Sequence, residues 1–112
     1  MDHEFINWCD ARTAQCMAQQ KALAADGRGD EARFMQIRAN VYGIFRSVCA
    51  AMKGDMTQVR EKLHAIPAAW EENLRLAEAH NETEKAHIER IKLETTAAIR
   101  HYADNLEAEK HD

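Results

Sequence analysis

The chain has 112 residues, enough for one domain built on one core. Its 15 Lys and Arg against 19 Asp and Glu give a formal charge of -4, which speaks against general nucleic-acid affinity, since that needs clustered positive charge. No apolar run approaches the roughly 20 residues that span a membrane, and three widely spaced cysteines, Cys9, Cys16 and Cys49, form no disulfide framework.

One proline and four glycines stand among abundant Ala, Glu, Lys, Arg, Gln, Leu and Met, a helix-forming composition. Alternating runs of β-branched and aromatic residues are missing, so an all-α protein is predicted. The first helix, 3–25, presents Phe5, Ile6, Trp8, Cys9, Cys16, Met17 and Leu23. Arg12 continues its Phe5–Cys9–Cys16 stripe, with Gln19 and Gln20 further on. Cys9 and Cys16 are seven residues apart, about 10 Å at 1.5 Å per residue, too far to share one zinc ion without another helix. They read as small buried hydrophobes, as does Cys49.

"DGRGD" (26–30) supplies two glycines and then Asp30 as N-cap of a second helix, 30–53. Phe34, Met35, Ile37, Val41, Tyr42, Ile44, Phe45, Val48, Cys49 and Met52 cover about half its circumference at about 100° per residue. So wide an arc calls for more than one neighbour or for a second subunit. Arg38 lies in the middle of it.

"KGDMTQ" (53–58) places Gly54 after that helix and Asp55 as the next N-cap, with Gln58 completing a capping box. The third helix, 56–79, carries a narrow seam, Met56, Val59, Leu63, Ile66, Trp70, Leu74 and Ala77. The seam runs through Pro67, which predicts a kink rather than a break. In "HNETE" (80–84), Asn81 and Glu84 read as a second capping box opening a fourth helix, 82–108. Its stripe is Ile88, Ile91, Thr95, Ala98, Ile99, Tyr102 and Leu106, and the end, 107–112, is expected to fray. Near-equal lengths and short connections predict one all-helical domain, 1–112, folded as an antiparallel up-down-up-down four-helix bundle. The alternative is a helical hairpin plus one long kinked helix, continuous through 78–84 and completed by dimerisation.

Candidate chemistry is sparse. Glu61-Lys-Leu-His64 and Glu84-Lys-Ala-His87 have the spacing of di-iron bundles, but the second helix has no carboxylate after Glu31 to complete such a site. His80, Glu84 and His87 would fall within about 60° of arc on an unbroken helix and could then hold zinc or nickel. The capping reading of the same residues is preferred. Arg12 and Arg38 sit on core-facing stripes, where a guanidinium must find an anion or escape to solvent. With Gln19 they are the candidate donors of an anion site. Arg33, Arg38, Arg46 and Lys53 share no single face, which weakens a DNA-binding reading. No phosphate loop, dinucleotide loop, nucleophile elbow or His-Glu-x-x-His motif occurs, and no cofactor is implied.

Charge divides unevenly: residues 1–54 carry seven basic and six acidic groups, residues 55–112 eight and thirteen. The acidic start "MDHEF" lacks the form of a signal peptide, so a cytoplasmic protein with reduced thiols is expected. The resulting expectation is a non-enzymatic helical module for protein interaction or regulation, paired with itself or another helical protein. A small-anion or metal-binding bundle, with an enzymatic role open to it, is the alternative.

Overall fold

The computed structural model describes the backbone of residues 3–110 and the side chains of residues 3–106. It is all helical: α1 (Glu4–Ala25), α2 (Gly29–Ala51), α3 (Met56–Ala65), α4 (Ala68–Ala79) and α5 (Thr83–Lys110). These five segments form the expected bundle, with α3 and α4 together in the place of its third helix. α5 runs helically to Lys110, and the rest of the end expected to fray lies outside the described residues.

All three reversals of the chain are built alike. Gly27 (φ 76°), Lys53 (φ 54°) and Asn81 (φ 55°) each take the left-handed conformation just past a helix end. The next amide then bonds back to the last turn: Arg28 N–H to Leu23 C=O at 2.9 Å, Gly54 to Cys49 at 3.0 Å, Glu82 to Ala77 at 2.8 Å. Such Schellman turns satisfy carbonyls that the helix leaves without donors. Two expected caps are thereby corrected. Asn81 ends α4 rather than opening α5, because an amide side chain tolerates the left-handed region best. Asp30 lies inside the first turn of α2, after Arg28 and Gly29, and makes no cap bond. Asp55 does cap α3, accepting from the amides of Thr57 (3.1 Å) and Gln58 (3.3 Å) and from Gln58 Nε2 (2.9 Å).

Pro67 does more than kink the third helix. α3 ends at Ala65 and α4 begins at Ala68, although Ile66 and Pro67 keep right-handed helical dihedrals. The missing proline N–H would have served the Leu63 carbonyl. Arg100 of α5 serves it instead, donating from Nε and Nη2 at 3.0 and 2.8 Å.

The core joins α1, α2, α3 and α5 around Phe5, Cys9, Phe45, Val59, Leu63 and Ile99, all fully buried. Each of the larger side chains contributes about 1.5–3 kcal/mol by leaving water. Thr95 and Thr96 are buried as well, and their hydroxyls donate to the carbonyls of Ile91 and Lys92 at 2.8 Å. α2 and α5 run parallel side by side, tied by Arg33–Glu84 at 2.7 Å and Arg38–Glu94 at 3.6 Å. Phe5 and Trp8 of α1 reach Tyr102 of α5 and close the bundle at one end. At the other end, which carries the turns at 26–28 and 80–82, α4 packs on α5 and α1 on α2.

Candidate functional site

The strongest polar constellation lies where α1 and α5 diverge over α2. Trp8 stacks on Tyr102 with ring centroids 4.2 Å apart and planes 4° from parallel, and meets Tyr42 edge-on at 5.5 Å. One turn along α1, the Arg12 guanidinium lies 5.4 Å from the Trp8 ring centre, a cation–π contact, and its Nη1 donates to Gln15 at 3.4 Å. Across the interface, Arg38 of α2 keeps 31% of its side chain exposed. Its Nη2 reaches Glu94 only at 3.6 Å, beyond good hydrogen-bond range, and its Nε is buried without an acceptor.

Both arginines act on the same two groups. Burial pushes the Cys16 thiol up, and Arg38 and then Arg12 pull against it. Burial likewise raises the Tyr42 phenol, opposed by Arg12 and Arg38. Arg12 is exposed on α1 rather than core-facing as expected, while Arg38 is half-buried on α2. Gln19 also stays exposed on α1, while Gln20 beside it turns inward and buries Oε1 without a donor.

The three metal candidates are separated. His80 ends α4 with Nδ1 2.8 Å from its own Leu76 carbonyl. Glu84 pairs with Arg33, and the His87 ring packs edge-on against Phe34 at 4.6 Å. The turn at 80–82 breaks the helix that would have aligned them, and no group of three His, Cys, Asp or Glu among the described residues is placed to hold a metal ion. Glu61 and His64 are exposed on α3.

The thiols are in their inert form. Cys9 is fully buried, and its pKa rises to about 12, first through desolvation, then through Cys49 and Asp10, with Arg46 opposing. All three cysteines are buried, and none is in a disulfide.

A concavity between α4 and α5 escaped sequence reasoning. A groove of about 430 Å³ runs along α4 beside α5, lined by Asn73, Leu76, His80, Lys85, Ile88 and Glu89 among others. Leu76 is 41% exposed there. Glu89 is nearly buried, bonded to Lys92 at 3.2 Å through Oε1, and its Oε2 has no donor. The signal was Leu76 itself, a large apolar residue off the Trp70–Leu74–Ala77 seam. Met17 of α1 (44%) and Ile44 of α2 (37%) are the other exposed large apolar residues described. No helix among the described residues is long and apolar enough to cross a membrane. Comparison with known proteins finds no matching family model, no matching curated protein and no matching solved structure.

Proposed function

We propose that the protein is a non-enzymatic helical interaction module that associates through its outer helices, first of all with a second copy of itself. The observation that carries this reading is the exposure of Met17 on α1 and Leu76 on α4, two flanking helices that each pack on one neighbour there. Each of the two lines a concavity, of about 430 Å³ at Leu76 and about 530 Å³ at Met17, the kind of ground that a partner's helix covers. The wide apolar arc of α2 contributes less, because most of it is covered within the chain and Ile44 alone stands well exposed. Three buried cysteines outside any disulfide suit a reducing compartment such as the cytoplasm. Sedimentation analysis tests the reading: the chain associates at micromolar concentration, and a monomer persisting at high micromolar concentration overturns it.

A second reading rests on Arg38, whose buried Nε has no acceptor. A half-buried guanidinium held only loosely by Glu94 suits a small oxyanion. Titration with inorganic phosphate then raises the melting temperature, and Arg38→Ala abolishes the rise. A flat titration removes this reading and leaves the first untouched.

A further inference from the structure

The three reversals of the chain are not equally fixed. The first turns on Gly27, and the second on two left-handed residues, Lys53 and Gly54, with Asp55 capping the helix that follows. The third turns on Asn81 alone, a non-glycine at φ 55° between two helices. Rotation of that residue into the right-handed region joins α4 to α5. The sequence already has the register of the joined helix: steps of three and four run unbroken through Leu74, Ala77, Asn81, Glu84, Ile88 and Ile91. Joining costs no backbone bond either. In the turn Asn81 N–H donates to Glu78 C=O at 3.2 Å and Glu82 N–H to Ala77 C=O at 2.8 Å, and a continuous helix gives both amides regular acceptors four residues back.

The packing that the turn holds in place is thin. α4 has its main contact with α5. Beside the turn the buried residues of the two helices are small, Ala77 and Ala86, and concavities of about 430 and 240 Å³ lie on either side, with Ala77 lining both.

We infer that residues 80–82 are a hinge through which two copies of the chain exchange α5. In the exchanged dimer α4 and α5 form one helix from Ala68 to Lys110, roughly 65 Å at 1.5 Å per residue. Two such helices run antiparallel and cross at Asn81, and each α5 fills in the other copy the place it holds in its own. The contacts are those already described, now made between chains: Arg38 with Glu94, and Arg100 with the Leu63 carbonyl. The two Asn81 side chains come together at the crossing, where a helical seam accepts a polar amide pair. Exchange relieves a short hinge held in an unfavourable dihedral, and its two-fold symmetry closes the assembly at two copies. It needs neither Met17 nor Leu76, so it is separate from association through the faces of the outer helices.

The test is sedimentation of the full chain, of Asn81→Ala and of Asn81→Gly, each concentrated, warmed into its melting transition and cooled. Alanine disfavours the left-handed turn and favours the helix, so Asn81→Ala raises the dimerisation constant about 10-fold or more; glycine does the reverse and lowers it. A pair of introduced cysteines, Glu78→Cys with Arg90→Cys, then reports which chain each α4 packs on, since these two side chains meet across α4 and α5 at 3.3 Å. In the exchanged dimer of the Asn81→Ala protein a short bis-maleimide joins two chains, and a denaturing gel shows a covalent dimer. An Asn81→Ala protein that stays monomeric overturns the exchange, as does an Asn81→Gly protein that dimerises equally well. A dimer whose bridges all lie within single chains also overturns it and spares association through the outer helices. A monomeric wild type beside a bridged Asn81→Ala dimer upholds the exchange and overturns the surface reading.

Discussion

Arg100 and Pro67 are coupled through the Leu63 carbonyl. The proline withholds the helical donor, and the arginine supplies two donors from a helix 37 residues away along the chain. Charge-assisted bonds to a half-buried carbonyl contribute more than neutral ones. Arg100→Met therefore destabilises by about 1–3 kcal/mol in urea unfolding, leaving that carbonyl without a donor. Pro67→Ala restores the main-chain N–H, so the same Arg100→Met change costs less in that background. A double-mutant cycle showing coupling below about 0.5 kcal/mol would sink the account.

The Cys9 thiol makes stability depend on alkaline pH. In the unfolded chain the group ionises near 9.0, and in the native core near 12. Below pH 9 both states hold the proton and the full stability is present. Above it the unfolded state loses its proton first, so stability falls by up to about 1.4 kcal/mol per pH unit until the native group also ionises. Cys9→Ala loses some packing at every pH, but its stability declines less steeply between pH 9 and 11. Equal slopes for the two proteins would contradict the burial argument.

Asp55 acts at the other end of the pH scale. Hydrogen bonds from the Gln58 side chain, the Gln58 amide and the Thr57 amide, with help from Arg60, hold its carboxyl below the usual value of 3.8. A lowered native pKa stabilises above the unfolded value, and that contribution disappears as the native group protonates. Asp55→Ala lowers the melting temperature at pH 7, and the difference from wild type shrinks as the pH falls below 3.8. Asp55→Asn keeps an acceptor and retains part of the cap, with a weaker dependence on acid. Melting curves across this range decide the matter.

Trp8 and Tyr102 bind the two ends of the chain. Their parallel stack, beside the tilted contact of Phe5 with the same tyrosine, carries α1 over to α5. Truncating each to Leu, singly and together, should give a coupling of about 0.5–1.5 kcal/mol beyond area burial. The tryptophan emission of Tyr102→Leu should also shift to the red, since the ring is half-buried and loses the cover of its partner.

Helical class, the three reversals and the Asp55 cap were legible because each rests on local chemistry: composition, glycine after a helix, an acid before one. The seam of the third helix was legible too, with Val59, Leu63 and Ala77 buried on it. The exact stops were less so. Asn81 can either cap a helix start or end one in the left-handed region, and the sequence around it satisfies both patterns. Pro67 announced a lost bond, but the replacement donor, Arg100, sits on another helix at a register that only packing determines. Arg38 was visible as misplaced charge, and its loose pairing with Glu94 depended on how α2 packs on α5, whereas Arg12, expected to face the core, is exposed. Gln19 is exposed while Gln20 turns inward, because one residue's turn along a helix is about 100°. The α4–α5 groove was illegible as a shape, since a concavity belongs to two helices and to neither one's pattern.

The sheltered cysteines make the protein a quiet background for site-directed labelling. Cys9, Cys16 and Cys49 are buried, and burial raises the pKa of Cys9 and Cys16, so at neutral pH they offer little thiolate to a maleimide. A cysteine placed on an exposed position of α1 or α4 becomes the fast-reacting thiol without any native one being removed. Spin labels or fluorophores can thus report the distance between the outer helices of two copies in an otherwise natural chain.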